Sequence, residues 1–548
     1  MSVLTDFLRH EQATPNRVLF HQPLDTSKRT WTFAQAGNEI RAIVTGLQDL
    51  GLKPGDHVAF ISKNCAEWIM TDIAIMMGGY VSIPLYPTLG AKTIESILRH
   101  SDSKAVILGK LDDYSSQKNG IPPEIAKISI KTYGIEETYL WEDWVNEKTP
   151  SEYIHEWKKD DLQTIIYTSG TTGNPKGVMH ALSHFEDTVK VAITDLEIDP
   201  NKPARMFSYL PLSHIAERIG IENVGMHLGA EFYFAQSLDT FAANLAEAQP
   251  TLFFAVPRIW AKFREKIEVK LPPSKLNTLL KIPILNNVIR NSIKKKLGLQ
   301  SATHIFSGAA PISVDLLEWF GKLGINILQA YGMTEDSVYA HFNRNNANKF
   351  GTVGIPFKGM DVKIDAESGE IRVKSPGNTL GYYKEPSLTE ELFDEEGYLK
   401  TGDIGERDSE GFLTITGRVK DQFKTDKGKY IAPSPIEMML LANTDIESIC
   451  VVGMGVPQPL ALVVPSATGL GKTREALALS LTATINEVNK KLESYEKIEK
   501  AIIMKNPWTV ENNLMTPTMK VKRNEVEKIH MPKYVTWYGM QEKVVWES

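Results

Sequence analysis

Cysteine is almost absent from this chain: its 548 residues include only Cys65 and Cys450. The two lie far apart, and neither belongs to a C-x-x-C pair or to another metal-ligand spacing. A disulfide framework and a cysteine-based metal site are therefore excluded. We expect a reduced, cytosolic setting in which both thiols are small buried apolar groups.

Long apolar runs are also missing. Spanning a bilayer takes roughly 18–20 apolar residues, and the longest candidate, Ile73 to Tyr86, is interrupted by two glycines, a serine and a proline. This stretch predicts a buried helix that runs into a strand. The N-terminus has no basic region followed by an apolar segment, so we expect no secretory signal. The net charge of -6 gives no electrostatic reason to expect nucleic acid as a partner.

Helical and strand patterns alternate along residues 30–110, which is typical of a layered α/β domain with a mostly parallel sheet. Thr32 to Gly51 has apolar residues at helical spacing and a glycine where a helix C-cap belongs. The runs HVAFIS, VSIPLY and KAVILG predict strands. Because the alternation recurs near residues 205–255 and 300–330, we expect more than one α/β subdomain.

Composition changes twice in the second half of the chain. Residues 350–420 are rich in glycine and short strand patterns, which predicts a small β-barrel-like subdomain. Residues 419–548 contain two strand-like runs, SICVVGMG and LALVVP, and one long helix from Thr473 to about Glu499. The predicted fold class is α/β, with a large N-terminal domain, residues 1–418, of two layered α/β subdomains plus the β-rich one. A smaller α+β domain, residues 419–548, follows.

A glycine- and threonine-rich stretch, IIYTSGTTGNPKGVMH (Ile165 to His180), contains a strand-like run and then a loop. It is not a Walker A loop, because Pro175 stands at the second glycine and Gly177 at the Ser/Thr after Lys176. Its backbone N–H groups, hydroxyls and single ammonium can nevertheless enclose a polyphosphate. The alternative is a polar surface turn, and the run of small and hydroxyl residues argues against it.

A second loop, SATGLGKTRE (Ser466 to Glu475), lacks only the first Walker A glycine. It comes too late in the chain to be followed by the remaining parallel sheet and by an acidic strand for magnesium. We interpret it as a flexible loop in which Thr473 or a neighbour caps the following helix.

Five motifs together carry a family resemblance. Besides the glycine-rich stretch they are YGMTE, TGDIG, GRVKD and TPTMKVKR, at Tyr331–Glu335, Thr401–Gly405, Gly417–Asp421 and Thr516–Arg523. In this order they resemble the signatures of the adenylate-forming superfamily, which includes acyl-CoA synthetases, luciferases and peptide-synthetase adenylation domains. The resemblance runs from about residue 10 to about residue 530.

The resemblance implies a reaction in two halves. A carboxylate attacks the α-phosphate of ATP to give an acyl-adenylate and pyrophosphate, and the thiol of coenzyme A then displaces AMP. ATP, Mg²⁺ and coenzyme A are the implied cofactors and co-substrates. Lys420 matches the family's hinge, about which a mobile C-terminal domain rotates between the half-reactions.

The resemblance also implies a role for each motif residue. The phosphates would be held by Thr168, Ser169, Gly170, Thr171, Thr172, Gly173 and Lys176. The residues expected around the adenine and the α-phosphate are Gly308, Ala309, Tyr331, Gly332 and Thr334. Glu335 and Ser169 would be ligands of Mg²⁺. Asp403 and Arg418 would bind the ribose, and Gly428 would let the pantetheine arm approach. The predicted catalytic residues are Lys176, Thr334, Glu335 and Lys520, of which Lys520 would bridge the attacking carboxylate and the α-phosphate.

Taken one at a time, several of these residues have simpler interpretations. Asp403 and Arg418 could form a surface ion pair of little energetic value. Glu335 could be an acid at a helix N-terminus, and Lys520 could be a solvated lysine two residues from Lys522. The other protein classes are a P-loop NTPase, which would release ADP, and a catalytically dead lipid-binding relative. The five motifs in family order favour the adenylate-forming enzyme.

The expected acid is a long-chain fatty acid. Four stretches look like the long-chain fatty-acyl-CoA synthetase branch: SYLPLSHIAER, VPRIW, FSGAAPIS and FKTDKGKYIAPSPIE. His214 and Trp260, from the first two, would lie in the acyl and coenzyme A pocket, although Trp260 could also be an ordinary core residue. A medium-chain or aryl acid, or a carrier-protein thiol as acceptor, is the alternative.

Residues 270–299 are basic and amphipathic, with Leu, Ile and Val at helical spacing beside lysines. Such a stretch could lie on an anionic membrane and collect fatty acid there. We favour a helical hairpin that packs on the sheet and exposes a solvated basic face, because globular proteins commonly contain such helices. The sequence has no pattern that predicts an oligomeric state.

Overall fold

The largest sheet of the protein has eight strands and covers the predicted α/β region. A computed structural model describes residues 2–169, 175–237, 239–510, 512–516 and 519–548, and of Ser169 only the backbone. The three predicted strands lie in the middle of this sheet and pair in parallel. They are mostly apolar because nearly all of their residues, on both faces, are buried. In spatial order the strands are Gly381–Tyr382, Pro175–Ala181, Leu162–Ser169, Val81–Leu85, His57–Ile61, Ala105–Leu108, Ala126–Ser129 and Tyr139–Leu140.

Two of the predicted helices pack against each other. Helix Phe33–Asp49 begins where the side chain of Thr32 accepts a hydrogen bond from the backbone of Gln35, and Gly51 follows it in the left-handed region. Helix Ala66–Gly78 is buried along its whole length and leads into strand Val81–Leu85. The predicted buried helix that runs into a strand is therefore confirmed.

Two further sheets complete the α/β part. One has the strand order Arg205–Ser208, Glu231–Phe234, Val18–Pro23 and Lys28–Thr32. The other has the order Leu252–Ala255, His304–Ser307, Ile327–Tyr331, His341–Phe342 and Ile355–Pro356. In the second sheet the first three strands are parallel, which matches the alternation predicted near residues 205–255 and 300–330.

The glycine-rich segment near residues 350–420 forms a small antiparallel sheet. Its strands lie in the order Asp361–Ile364, Glu370–Lys374, Leu399–Arg407 and Leu413–Arg418. The register of the last two strands sets Asp403 directly opposite Arg418. This sheet therefore joins two residues that the sequence keeps in separate motifs.

The C-terminal part contains its own mixed sheet and core. The two predicted strands are Ile446–Val452 and Leu460–Pro465, which pair antiparallel. Lys500–Ile503 and Val544–Trp546 extend the sheet in parallel, and Phe423–Lys424 pairs separately with Tyr430–Ile431. The predicted division of the chain after residue 418 stays a prediction.

The long helix of this part is shorter than predicted. It spans Arg474–Asn489, whereas the helical pattern continues to about Glu499. No proline or glycine in residues 490–499 signals its end. The end is instead made by Asn489, whose side chain donates to the carbonyl of Ile498 at 2.9 Å and accepts from its N–H at 2.8 Å. These two bonds turn the chain back into strand Lys500–Ile503.

The second glycine-rich loop is more ordered than predicted. Residues Ala467–Leu470 form a short helix, which the side chain of Ser466 caps. The side chain of Thr473 caps the next helix by accepting from the N–H of Ala476 at 3.2 Å, as predicted. The loop therefore serves as a connection between two helices.

Helices connect the strands of all these sheets. Their bounds are Val3–Ala13, Phe33–Asp49, Ala66–Gly78, Ala91–His100, Tyr114–Gln117, Trp141–Glu147, Leu182–Asp195, Ile215–Glu217, Val224–His227, Phe241–Ala248, Pro257–Lys270, Pro273–Leu280, Pro283–Lys296, Val314–Lys322, Pro386–Leu392, Pro433–Leu440, Ala467–Leu470, Arg474–Asn489, Arg523–His530 and Tyr534–Gly539. Among the described residues, none of these helices is both long and apolar enough to cross a bilayer. Cys65 and Cys450 are buried free thiols, as predicted.

Candidate active site

A cavity of about 2300 Å³ lies between the N-terminal part and the C-terminal part. Single ligand pockets usually measure about 300–1,000 Å³, so this one has room for more than one substrate. Most of the predicted site residues lie on its wall, namely Thr168, Lys176, His214, Gly308, Ala309, Tyr331, Gly332, Thr334, Glu335, Asp403, Arg418, Lys420 and Lys520. The fold thus brings together residues from all five motifs.

The described parts of the glycine-rich stretch belong to two paired strands. Strand Leu162–Ser169 pairs antiparallel with strand Pro175–Ala181, and Thr168 stands opposite Lys176. The described residues that follow the loop begin a strand at Pro175, so they offer phosphate no helix N-terminus of the Walker A kind. The ammonium of Lys176 lies 4.9 Å from the ring centroid of Tyr382. The side chain of Ser169, and Gly170, Thr171, Thr172 and Gly173, lie outside the described residues.

Glu335 faces the cavity from a three-residue turn, Thr334–Asp336. Its Oε1 accepts a hydrogen bond from the hydroxyl of Tyr382 at 2.9 Å, and burial raises the pKa of this carboxyl. Because the turn is short and no α-helix begins there, Glu335 is not the helix N-terminal acid of the alternative interpretation. Mg²⁺ takes one or two carboxylates and otherwise phosphate oxygens and water, so a single carboxylate on this wall fits such an ion.

Asp336 holds the turn that carries Thr334 and Glu335. Its Oδ1 accepts from the backbone N–H of Met333 at 3.0 Å and of Val338 at 2.8 Å. Val338 has φ +56°, a left-handed conformation that is unfavourable for a β-branched residue. Asp336 is fully buried, and burial raises its pKa to about 7. Sequence analysis missed its role, since one acid beside another shows no pattern.

Asp403 is held between two motif residues. The hydroxyl of Tyr331 donates to its Oδ2 at 2.8 Å, and Arg418 Nε lies 2.8 Å from its Oδ1. The negative charge of Asp403 raises the pKa of Arg418. The two residues do form an ion pair, and they form it on the cavity wall. Each carboxylate oxygen can accept a second hydrogen bond, so Asp403 can also receive two ligand hydroxyls.

Lys520 stands on a tight loop of the C-terminal part. Its backbone N–H donates to the hydroxyl of Thr516 at 3.0 Å, and its carbonyl accepts from the Thr516 N–H at 2.8 Å. Enclosure by the cavity walls lowers the pKa of the Lys520 ammonium to about 8, and the charge of Arg418 adds to this effect. Lys522 also reaches the wall, but its ammonium is bound to the side chain of Asn513 at 2.6 Å.

His214 is a neutral group of the same wall. Its enclosure lowers its pKa to about 3, and the positive charge of Lys520 acts in the same direction. Its Nδ1 accepts from the N–H of Ala216 at 3.3 Å. His214 can therefore orient a ligand near Lys520 but contributes no charge at neutral pH.

One side of the cavity is apolar. It is lined by Ala192, Leu196, Ile198, Ile215, Ile219, Ile221, Val224, Leu252, Phe254, Phe306, Phe342 and Phe357. A π-helix, Arg218–Asn223, supplies part of this wall, and such helices are frequent at functional sites. Gly220 lies on it, and a Cβ added there would meet no heavy atom within 4 Å. Sequence analysis missed Gly220, because a helical glycine alone gives no functional signal.

A buried ion pair anchors the π-helix. Arg218 is fully buried, and its Nη2 lies 2.6 Å and 2.7 Å from the two carboxylate oxygens of Asp72. The same guanidinium donates to the hydroxyls of Thr164 and Ser82, each at 2.8 Å. Separating Arg218 from Asp72 would leave an unpaired buried charge, which is strongly unfavourable. The ion pair therefore holds the π-helix, and the apolar wall that it carries, in place.

Two predicted site residues do not line the cavity. Trp260 is fully buried and packs edge-on against Phe253, Phe263 and Phe320, with ring centroids 5.1–5.8 Å apart. It packs on Phe253, which lines the cavity, and does not line the cavity itself, so it occupies the core position that the alternative interpretation gives it. Gly428 lies in an exposed turn with φ +78°, not on the cavity wall.

Two family models match the sequence. Residues 7–383 match the model described as AMP-binding enzyme. Residues 420–537 match the model described as AMP-binding enzyme C-terminal domain.

Known proteins resemble the chain over nearly its whole length. The long-chain-fatty-acid–CoA ligase FadD15 of Mycobacterium bovis is 29% identical over 570 residues, covering 94% of each chain. The long-chain-fatty-acid–CoA ligase ACSBG2 of Xenopus laevis is 28% identical and covers 92% of this chain and 79% of its own. The crystal structure of the adenylation domain of a carboxylate reductase from Mycobacterium chelonae has a TM-score of 0.83 at 22% identity, and the match covers 98% of this chain and 91% of that one.

Proposed function

Since the chain belongs to the family of AMP-binding enzymes, matched over residues 7–383 and 420–537, we propose that it is an AMP-forming long-chain fatty acid–CoA ligase. One observation carries the proposal. The wall of a single cavity combines a cluster of charged residues at one side with a long apolar surface at the other. A nucleotide needs the first surface and a fatty acid the second.

The charged residues suit the first half-reaction. A carboxylate oxygen of the acid attacks the α-phosphorus of ATP, the bond to the β-phosphate breaks, and pyrophosphate leaves. The Lys520 ammonium, protonated below its pKa of about 8, would stabilise the negative charge that grows between acid and α-phosphate. Lys176, on the phosphate-loop hairpin, would neutralise the departing pyrophosphate. Mg²⁺, when bound by Glu335, would supply further charge neutralisation at the phosphates.

The nucleotide would lie along the wall from Gly308 to Arg418. Tyr331, Gly332, Gly308 and Ala309 would surround the adenine, Thr334 would donate to a phosphate oxygen, and Asp403 with Arg418 would bind the ribose. A Cβ at Gly308 would come within 3.0 Å of the carbonyl oxygen of Ala330. A larger residue would therefore have to push the neighbouring strand away by a few tenths of an ångström.

The second half-reaction needs a different arrangement of the two parts. In this structure Arg258 forms an ion pair with Glu447 and lies 3.8 Å and 3.6 Å from the sulfurs of Met515 and Met519. These contacts connect the Lys520 loop to the N-terminal part, an arrangement that would suit adenylation. We infer that residues 419–548 rotate about Lys420 after pyrophosphate leaves. The thiol of coenzyme A then attacks the acyl carbonyl, AMP departs, and Gly428 reaches the thiol channel only in that second arrangement.

The apolar wall favours a long acid. Its twelve residues come from helices, three strands and the adjoining loops, and none of the twelve is charged. A short or strongly polar acid would leave most of this surface exposed to water, at a cost of about 25 cal/mol per Å². The names of the similar ligases from Mycobacterium bovis and Xenopus laevis support the same class of acid.

The function is tested by product analysis. Purified protein is given Mg-ATP, coenzyme A and saturated fatty acids of six to twenty carbons, and AMP, ADP and acyl-CoA are quantified together. We expect AMP and acyl-CoA in equal amounts, with the highest rates for long acids. Pyrophosphate release without acyl-CoA would retain adenylation and reject coenzyme A as acceptor. Formation of ADP would reject the proposed reaction altogether.

Replacing Gly220 with phenylalanine should shorten the preferred acid. The new ring would grow into the open space beside the π-helix, where a chain now has room. Each methylene of the acid that can no longer be buried costs about 0.8 kcal/mol of binding free energy. If three methylenes stay in water, kcat/KM for sixteen- and eighteen-carbon acids should fall roughly fiftyfold. Eight-carbon acids should react at nearly the original rate.

The matched control for this experiment is Gly539→Phe. Gly539 also has no heavy atom within 4 Å of an added Cβ, and it lies on a short helix away from the cavity. This control should keep the original chain-length profile. An unchanged profile in Gly220→Phe would show that the acyl chain does not pass this part of the wall.

A further inference from the structure

The helical hairpin of residues 269–299 has a charge opposite to that of the rest of the chain. It contains seven basic residues, Lys270, Lys275, Lys281, Arg290 and Lys294 to Lys296, and no Asp or Glu. With +7 in this segment and -6 in total, the remaining residues carry -13. In the described part of the chain, none of the seven forms an ion pair with a carboxylate. Their charge is therefore available to a partner.

The hairpin packs on the protein by one face only. It consists of helices Pro273–Leu280 and Pro283–Lys296. Leu276 is buried in the neighbouring core, and Ile289 and Ile293 pack against that core. The expected hairpin is thus confirmed, but helix Pro283–Lys296 contains no fully buried residue, so its outer face is free.

The free face is apolar as well as basic. Ile284 is 84% exposed, the highest value among the exposed large apolar residues described, and Val288, one helical turn on, is 58% exposed. Ile282, in the turn between the two helices, and Val269, the first residue of the segment, are also exposed. An ordinary solvated basic face would place polar residues at these positions. Aliphatic side chains among unpaired lysines are the pattern of a helix that lies in a membrane interface.

We propose that the hairpin of residues 269–299 docks the protein on an anionic lipid bilayer, with Ile284 and Val288 entering the headgroup region. Charge complementarity favours an anionic bilayer over other binding partners of this face. A second copy of the chain would bring seven more positive charges against the first seven. An anionic surface instead attracts each lysine. Exposed isoleucine and valine side chains are stabilised when lipid removes their apolar surface from water, whereas the charged backbone of a nucleic acid offers no such apolar contact.

The proposal goes beyond the ligase reaction, and its test needs no catalysis. The full-length protein is mixed with sedimenting vesicles of phosphatidylcholine alone or with one-third phosphatidylglycerol. We expect binding to the anionic vesicles, weak binding to the neutral ones, and a loss of affinity as salt increases. Size-exclusion chromatography without lipid should give the same elution volume for the wild type and the variants.

Two double variants separate the contributions of charge and apolar contact. Each lysine near an anionic surface accounts for about a fivefold change in affinity, so Lys295→Gln with Lys296→Gln should weaken binding about twentyfivefold. Ile284→Asp with Val288→Asp should weaken it at least tenfold. Because all four residues are exposed, circular dichroism and thermal melting should stay unchanged.

Matched controls carry the same changes elsewhere. Leu479 is 72% exposed on another helix, and Lys92 and Lys118 are exposed lysines of the N-terminal part. Leu479→Asp, and Lys92→Gln with Lys118→Gln, should bind vesicles like the wild type. Equal binding by all variants, binding to neutral vesicles as strong as to anionic ones, or no binding would each overturn the proposal. If the wild type were a dimer and the variant with Ile284→Asp and Val288→Asp a monomer, the exposed face would instead be the contact surface for a second copy of the chain.

Discussion

Replacing Lys520 with alanine should lower the rate of acyl-adenylate formation by about a hundredfold to a thousandfold, the usual cost of removing one group that stabilises transition-state charge. Lys520 is the ammonium that the C-terminal part presents to the cavity near Arg418 and His214. The measurement is pyrophosphate exchange into ATP with a long-chain acid.

The control is Lys522→Ala, which removes the neighbouring lysine. Its ammonium is held by Asn513, so the exchange rate should change less than threefold. Transfer of a preformed acyl-adenylate to coenzyme A should survive in Lys520→Ala, because the second half-reaction does not use this group. Equal losses in the two lysine variants would contradict the assigned role.

The same lysine should set the alkaline limit of the reaction. Its pKa is lowered to about 8. Lys520 is therefore fully protonated well below pH 8, and the protonated form that acts in catalysis is lost as the pH rises through 8. The profile of kcat/KM reports the free enzyme and should therefore fall above about pH 8. In Lys520→Arg the guanidinium stays charged, so any activity that remains should not show this fall.

Replacing Glu335 with glutamine should raise the Mg²⁺ concentration needed for half-maximal adenylation and lower the maximal rate about a hundredfold. The amide keeps the shape of the side chain and can still accept from Tyr382, but it lacks the charge that a hard divalent cation requires. The measurement is the exchange rate across a Mg²⁺ titration at fixed ATP, with the same titration for each variant.

Glu391→Gln is the matched control for this prediction, because Glu391 is an exposed carboxylate on the same cavity wall. It should leave the Mg²⁺ titration unchanged. Tyr382→Phe removes the hydrogen bond to Oε1 of Glu335 and should have an intermediate effect, since it loosens the carboxylate without removing its charge. A Glu335→Gln enzyme with the original Mg²⁺ dependence would exclude Glu335 as the ligand.

Local patterns predicted much of the fold. The buried helix before strand Val81–Leu85, the two strands of the C-terminal sheet and the cap at Thr473 all depend on residues within a few positions of each other. The end of helix Arg474–Asn489 depends instead on a bond from Asn489 to Ile498. No proline or glycine marks this end in the sequence, so the helix predicted from the spacing of apolar residues was too long.

Some features of the site could likewise be predicted from local sequence, and others could not. The five motifs can be recognised without a structure, because each is contiguous, and their residue types and order suffice to identify the family. The sequence could not determine the face on which Trp260 lies, since either face of an amphipathic helix can be covered. It also gave no hint of Tyr382 beside Glu335, 47 residues away.

Contacts between residues that are distant in the chain became known from the folded protein alone. Arg218 binds Asp72 across 146 residues, and Asp403 meets Tyr331 across 72. The outer face of the hairpin likewise became visible only when the core had covered Ile289 and Ile293 and left Ile284 exposed. The physical reason is the same in each case. Chemical identity and periodicity are properties of neighbouring residues, whereas contact, burial and a shifted pKa arise only when distant segments exclude water together.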